Sequence, residues 1–192
     1  MKTYVHNRNV RLLWRKISVI GIVLFANSWG NILSAQEIVN PAHGMEEVCS
    51  EKIIRGKTNL EQLEQIPDFW IEYLNHYANY AIDREKLTEI AQELNNKSIK
   101  IVVVIGSWCG DSKEQLPVFQ KIFDNLLQNK PDIEYIGVDR DKIAQDLDIS
   151  SLNVNFIPVF IFYENDQEIG RITETPSSTM EDDIIRILKK EK

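Results

Sequence analysis

Cys49 and Cys109 are the two sulfur nucleophiles in this chain, and their surroundings differ. Cys109 lies in Gly106-Ser107-Trp108-Cys109-Gly110-Asp111-Ser112-Lys113, after a β-branched run and before a helically spaced apolar set. A cysteine where a buried strand hands over to a helix meets unpaired backbone N–H groups and the positive end of the helix dipole. Both favour the thiolate, which is the nucleophile in disulfide exchange. Asp111, two residues on, opposes that ionisation by its charge while suiting the first turn of a helix. The Ser112 hydroxyl has two compatible roles open to it, a hydrogen bond to the Cys109 thiolate and a cap on the helix. Cys49 is flanked by Glu46, Glu47 and Glu51, and such acidic surroundings disfavour a thiolate. Three roles stay open for it: a distant resolving thiol for Cys109, a partner for another chain, or a lone thiol without function.

The elements that must position these residues follow from periodicity. Ile99 to Ile105 is nearly all β-branched and too short for a typical helix, so it reads as a central strand buried on both faces. Leu116, Phe119, Ile122, Phe123 and Leu126 predict a helix from Asp111 to about Gln128, kinked at Pro117. Pro131-Asp132 stops it, and Ile133, Tyr135, Ile136 and Val138 predict a second strand. A short helix is expected around Lys142 to Asp148. Val159 to Tyr163 and Glu168 to Ile172 read as a hairpin turning at Asn165-Asp166, and Ile184, Ile185 and Leu188 predict a helix over Met180 to Leu188.

Upstream, Leu60, Leu63 and Ile66, then Phe69, Trp70, Tyr73, Leu74 and Tyr77, then Leu87, Ile90, Ala91 and Leu94 are helical stripes whose simplest role is core. Residues 36–58 show no sustained period and read as a lead-in with a short helix around Met45 to Ile53. The order is helices followed by β-α-β-α-β-β-α, which predicts an α/β domain with one mixed sheet covered on both faces.

The first 35 residues carry Lys2, Arg8, Arg11, Arg15 and Lys16 with no acid, then an apolar segment Ile17 to Ala26, then small residues ending Leu33-Ser34-Ala35. That order predicts a secretory signal peptide, 1–35, cleaved after Ala35, an exported (periplasmic or extracellular) protein, and no stable membrane insertion once the leader is gone. Losing those five positive charges takes the formal net charge from −7 to −12. A chain of that sign repels phosphate backbones, which argues against nucleic acid as a partner. Two cysteines do not make a disulfide scaffold even in an oxidising compartment. His43 and His76 stand at no zinc-ligand spacing, and no phosphate loop, dinucleotide fingerprint or serine nucleophile elbow occurs, so no metal or cofactor is expected.

The stretch around Cys109 resembles the active site of the thioredoxin superfamily, in which Trp-Cys-x-x-Cys opens a strand-to-helix junction. Trp108 precedes Cys109, Lys113 lies four residues after it and Pro117 eight after it. Phe156-Ile157-Pro158-Val159-Phe160 is similar to the family's cis-proline strand start, with hairpin and closing helix following. A closer likeness is to exported bacterial thioredoxin-like proteins with a Trp-Cys-x-Asp-Ser motif.

The resemblance implies a thioredoxin-like fold: a central mixed sheet flanked by helices over 98–192, preceded by an N-terminal helical extension, 59–97. It implies catalytic roles for Cys109, Ser112 and Pro158, substrate contacts from Trp108, Gly110, Asp111 and Ile157, and a rim loop from Thr173 to Pro176. Glu174 on that loop is either a partner contact or a solvated acid. Two positions depart from the family pattern. Ser112 stands where the second cysteine resolves a mixed disulfide, and Val103 stands where many members carry a buried acid. The expected function is monothiol thiol–disulfide exchange on protein or small-molecule disulfides and thiols, with Cys49 or an external thiol releasing the product. The alternative is a non-enzymatic module that captures exported partners in the groove beside Pro158.

Overall fold

The run Ile99–Ile105 forms a strand with apolar side chains on both faces, and the rest of the domain is built around it. The computed structural model describes residues 52–95 and 97–190, all within one unit of the chain, Glu47–Lys192. The expected signal peptide, Cys49 and the expected lead-in helix as far as Glu51 lie outside the described residues. Lys52 and Ile53 are not helical.

The elements in order are β1 (Gly56–Thr58), α1 (Leu60–Glu64), α2 (Pro67–Asn79), α3 (Arg84–Leu94), β2 (Ile99–Ile105), α4 (Gly110–Asp124), β3 (Asp132–Gly137), a 3₁₀ turn (Ser150–Leu152), β4 (Val159–Glu164), β5 (Gln167–Thr173) and α5 (Met180–Leu188). The five strands form one sheet in the order β1-β3-β2-β4-β5. β2 and β3 are parallel, and the β1–β3, β2–β4 and β4–β5 pairings are antiparallel. This is a mixed α/β fold of thioredoxin type.

Alternation along β2 divides the core. Ile101, Val103 and Ile105 point to one face, where Leu63, Phe69, Tyr73, Ile90, Phe119 and Ile184 from all five helices join Phe160 and Phe162. The helices over 59–97 therefore share one continuous core with the sheet. Val102 and Val104 point to the other face, with Ile136, Val138, Ile157, Val159 and Ile161. That face is covered by Leu147, Ile149, Leu152 and Val154 from the irregular segment between β3 and β4, together with Trp108 and Cys109.

Three expectations need correction. Residues 142–148 are turns around an isolated Ala144–Leu147 bridge, with no helix. The Asp139 carboxylate accepts the N–H groups of Asp141 (3.0 Å) and Ile143 (2.9 Å), and Lys142 and Gln145 have φ of 61° and 51°. Such side-chain turns compete with the helix for the same donors. The lead-in contains β1, a strand too short to show a period, opened by Gly56 at φ +88°. Finally, α4 ends at Asp124 rather than near Gln128, leaving Leu126 buried and Leu127 97% exposed. The helix continues through Pro117, which is buried within it.

The hairpin follows its sequence. Asn165 and Asp166 both take positive φ, 50° and 63°, as a two-residue turn between twisted strands requires. Helix starts are capped by Asn59, Asp83 and Thr179 side chains.

Phe119 is fully buried, with its ring centroid 4.6 Å from those of Phe123 and Phe160. Phe119→Ala is expected to lower the free energy of unfolding by about 3–5 kcal/mol, read from urea midpoints. A loss below about 1 kcal/mol would contradict this description of the helical face.

Candidate active site

Cys109 is the residue at which α4 begins, placed there because β2 ends at Ile105 and the chain must turn before a helix can start. A turn closed by the Cys109 N–H on the Gly106 carbonyl (2.9 Å) makes that reversal, and the Cys109 carbonyl accepts the Lys113 N–H (3.1 Å). Cys109 has extended dihedrals (φ −87°, ψ 126°), and its side chain makes no cap on the helix. The N–H groups of the first turn, unpaired within the helix, therefore open towards the sulfur's end of α4. Cys109 is a half-buried free thiol, followed by exposed Gly110 and Asp111.

The second half of the site comes from the loop before β4. The Ile157–Pro158 peptide bond is cis, and the Cys109 Sγ lies 3.6 Å from the Ile157 carbonyl oxygen. Ile157 and Pro158 are buried, while Phe156 beside them is 58% exposed. The Pro158 carbonyl accepts the N–H of Glu174 (2.8 Å), which ties the rim loop after β5 to the same place. Glu174 has φ 58°.

Trp108 forms a wall of the site. Its indole N–H donates to the Val138 carbonyl (3.1 Å), and the Arg140 guanidinium lies over the ring at 4.6 Å. Gly106 is required beneath it. A Cβ there would sit 2.8 Å from Ile157 Cδ1 and 2.8 Å from Trp108 Cε2, both neighbours of the thiol.

Ser112 occupies neither of the positions expected of it. It is fully buried, and its Oγ accepts the N–H of Gly106 at 3.2 Å. That N–H lies past the last residue of β2, where no strand partner receives it. The hydroxyl thus fastens the end of the strand to the first turn of the helix from inside, and the helix cap is left without a side-chain bond. Val103 is fully buried among apolar neighbours.

The fold thus brings Trp108, Cys109, Ile157 and Pro158 together, sets Gly110 and Asp111 at the exposed helix start, and puts Ser112 behind them; Cys49 lies outside the described residues. Residues not singled out beforehand also shape the site. Ser107, 3% exposed, donates to the Lys52 carbonyl (3.1 Å) and accepts the Ile54 N–H (3.2 Å). Arg140 and Val138 hold Trp108. Nothing in their sequence spacing marks them, because each acts through a partner far away in the chain. Among the described residues no cluster of three or more His, Cys, Asp or Glu could hold a metal ion, and no helix is long and apolar enough to cross a membrane.

A family model described as Thioredoxin matches residues 56–186, more than half of the chain. The chain belongs to the thioredoxin family. It is similar to the thioredoxin of Malassezia sympodialis, 32% identical over 85 residues, covering 43% of this chain and 76% of that one. It is also similar to the thioredoxin of Ictalurus punctatus, 28% identical over 103 residues, covering 52% of this chain and 92% of that one. Among solved structures, a protein of unknown function from Pseudomonas aeruginosa aligns with a TM-score of 0.48 at 14% identity, covering 70% of this chain and 91% of that one. The match to this thioredoxin-family domain starts at β1 and runs through α1–α3, so the family region includes the helical segment.

Ser112→Ala leaves the buried Gly106 N–H without its acceptor. The expected cost is about 1–3 kcal/mol of stability, measured by urea unfolding. Ser112→Thr, which keeps an acceptor, separates loss of the hydrogen bond from crowding.

Proposed function

We propose that this chain is an exported thioredoxin-family protein that performs thiol–disulfide exchange through a single nucleophile, Cys109. Family membership suggests thiol–disulfide exchange. The observation that carries the finer reading is the placement of the Cys109 sulfur: partly exposed, at the unpaired N–H end of α4, and 3.6 Å from the Ile157 carbonyl oxygen. Ser112 supports the monothiol part, since its hydroxyl is buried and engaged by Gly106 and has no sulfur to offer.

In the proposed step the Cys109 thiolate attacks one sulfur of a substrate disulfide. A Cys109–substrate disulfide forms as the substrate S–S bond breaks, and the other substrate sulfur leaves as a thiolate that takes up a proton. The Ile157 backbone flanks the sulfur, where an extended substrate segment would lie. A thiol other than Ser112 must then attack the mixed disulfide. The N-terminal segment 1–35, with its basic start, apolar stretch and Leu33-Ser34-Ala35 end, supports export to a compartment where substrate disulfides persist.

A second reading is favoured by the same Ser112. With no resolver in the motif, an adduct on Cys109 is long-lived, which suits a module that captures exported partners in the groove beside Pro158. Turnover separates the two.

With dithiothreitol as reductant, the wild-type chain is expected to accelerate insulin reduction several-fold, and Cys109→Ala to fall to the uncatalysed rate. Equal rates in the two proteins would overturn the exchange reading. Stable Cys109 adducts without turnover would favour capture.

A further inference from the structure

Gln115 keeps an uncommitted carboxamide in a cleft less than two helical turns from Cys109. From this we infer that the cleft is a subsite for polypeptide disulfides, in which Gln115 bonds the substrate main chain about three residues from the reacting cysteine. The inference rests on the reading of Cys109 as the nucleophile and adds the class of disulfide that the site selects.

The cleft encloses about 370 Å³ between α2, the first half of α4 and the turn before α5. That is at the small end of the range for ligand pockets. Tyr80, Val118, Pro176 and Met180 supply its apolar lining, and His76 closes it from the last turn of α2. Most polar groups around it are spent on the protein itself. The Tyr80 hydroxyl donates to the Glu181 carboxylate, the Thr179 hydroxyl accepts the Asp182 N–H at 3.2 Å, and the Asn79 amide donates to the Asn75 side-chain oxygen at 2.7 Å. Gln115 is not so engaged. It is 7% exposed, it lines the cleft, and among the described residues its carboxamide has no hydrogen-bond partner. Buried polar side chains are seldom left in that state. A carboxamide offers a donor and an acceptor side by side, and a main-chain peptide group presents the complementary pair.

Two paths tie the cleft to the thiol. Asp111, Gln115 and Val118 stand at i, i+4 and i+7, so they share one face of α4, which runs from the exposed helix start into the cleft. The Cα–Cβ bonds of a helix tilt towards its N-terminus, which leans Gln115 back towards the Cys109 end. Six residues of helix rise about 9 Å, a distance that about three residues of extended chain cover. On the other side, the Pro158 carbonyl holds the Glu174 N–H at 2.8 Å, and Pro176, two residues further on, lines the cleft. A substrate segment lying extended beside the Ile157 backbone therefore reaches the cleft between α4 and the rim loop. A disulfide of small thiols ends short of it.

The bond changes stay at Cys109. Its thiolate attacks one sulfur of the peptide disulfide, the Cys109–peptide bond forms as the substrate S–S bond breaks, and the second peptide leaves as a thiolate and is protonated. Gln115 takes part in none of these changes. It contributes binding energy remote from the sulfurs, which lowers the barrier only for substrates long enough to reach it.

The test uses the full chain, pre-reduced and freed of reductant, and two symmetric disulfides. One links two copies of an uncharged nine-residue peptide through a central cysteine, and the other links two copies of the tripeptide cut from its middle; both are acetylated and amidated. The readout is the ratio of the two rates of adduct formation at Cys109, followed by the mass of the Cys109-containing fragment. The wild type is expected to react about tenfold faster with the longer disulfide, and Gln115→Leu to bring the ratio to about one. A purely structural role for Gln115 would change both rates together and leave the ratio as it was. His76→Trp, which fills the cleft from α2, is expected to bring the ratio to about one as well, and it decides the question should Gln115→Leu fail to fold. A wild-type ratio near one, or a tenfold ratio that survives in folded Gln115→Leu, overturns the inference while leaving Cys109 as the nucleophile. If the wild type forms no Cys109 adduct with either disulfide, the reading of Cys109 itself fails, and the inference with it.

Discussion

A buried strand that ends at Ile105 leaves the next N–H, that of Gly106, pointing into the protein where water cannot reach it. The Ser112 hydroxyl receives it, and that one hydrogen bond sets the relation between β2 and α4. Helix and strand then share a fixed corner, and the residue at the corner, Cys109, is presented at the helix start. Removing the acceptor would leave a donor stranded in an apolar core, a cost comparable to a sizeable part of a domain's net stability. The residue that takes the place of a second cysteine is thus the brace of the site.

The other parts of the site depend on that corner being narrow. Gly106 has no room for a Cβ because Trp108 and Ile157 close on it from either side. The Trp108 ring is held in turn by the Val138 carbonyl and covered by Arg140, both from the end of β3 and the turn after it. Ile157 is held by the start of β4, the strand that pairs with β2 along its whole length. Three neighbouring strand ends therefore converge on the thiol. Thiol–disulfide exchange, which family membership suggests, needs such a convergence: a sulfur whose surroundings are set by backbone and whose open side admits a second sulfur.

The two faces of the sheet are unequal. All five helices among the described residues pack on one face, with a cluster of phenylalanine rings. The opposite face, which carries the site, is closed by irregular chain between β3 and β4. Asp139 starts that irregular stretch by drawing two N–H groups to its carboxylate, and the loop that results carries Arg140 to Trp108. An ordinary helix there would spend the same donors on itself.

Much of this was legible in the sequence. The β-branched run of β2, the helical spacing of α2 to α5, the Asn165-Asp166 turn and the thiol at a strand-to-helix junction are local patterns, since each depends on residues within a few positions of one another. What escaped was set by partners far away in the chain. β1 exists because Gly56–Thr58 finds the edge of β3, and residues 142–148 depart from a helix because of a carboxylate turn and the sheet face they must cover. Ser112 reads equally well as a helix cap or a thiolate partner until the end of β2 is seen to need an acceptor. Ser107 has no assigned role until Lys52 and Ile54 are placed against it. Local periodicity determines which segments become helix or strand, because it reflects side-chain direction along a single element. Which polar group answers which stranded donor is decided only when distant elements pack and water is excluded between them.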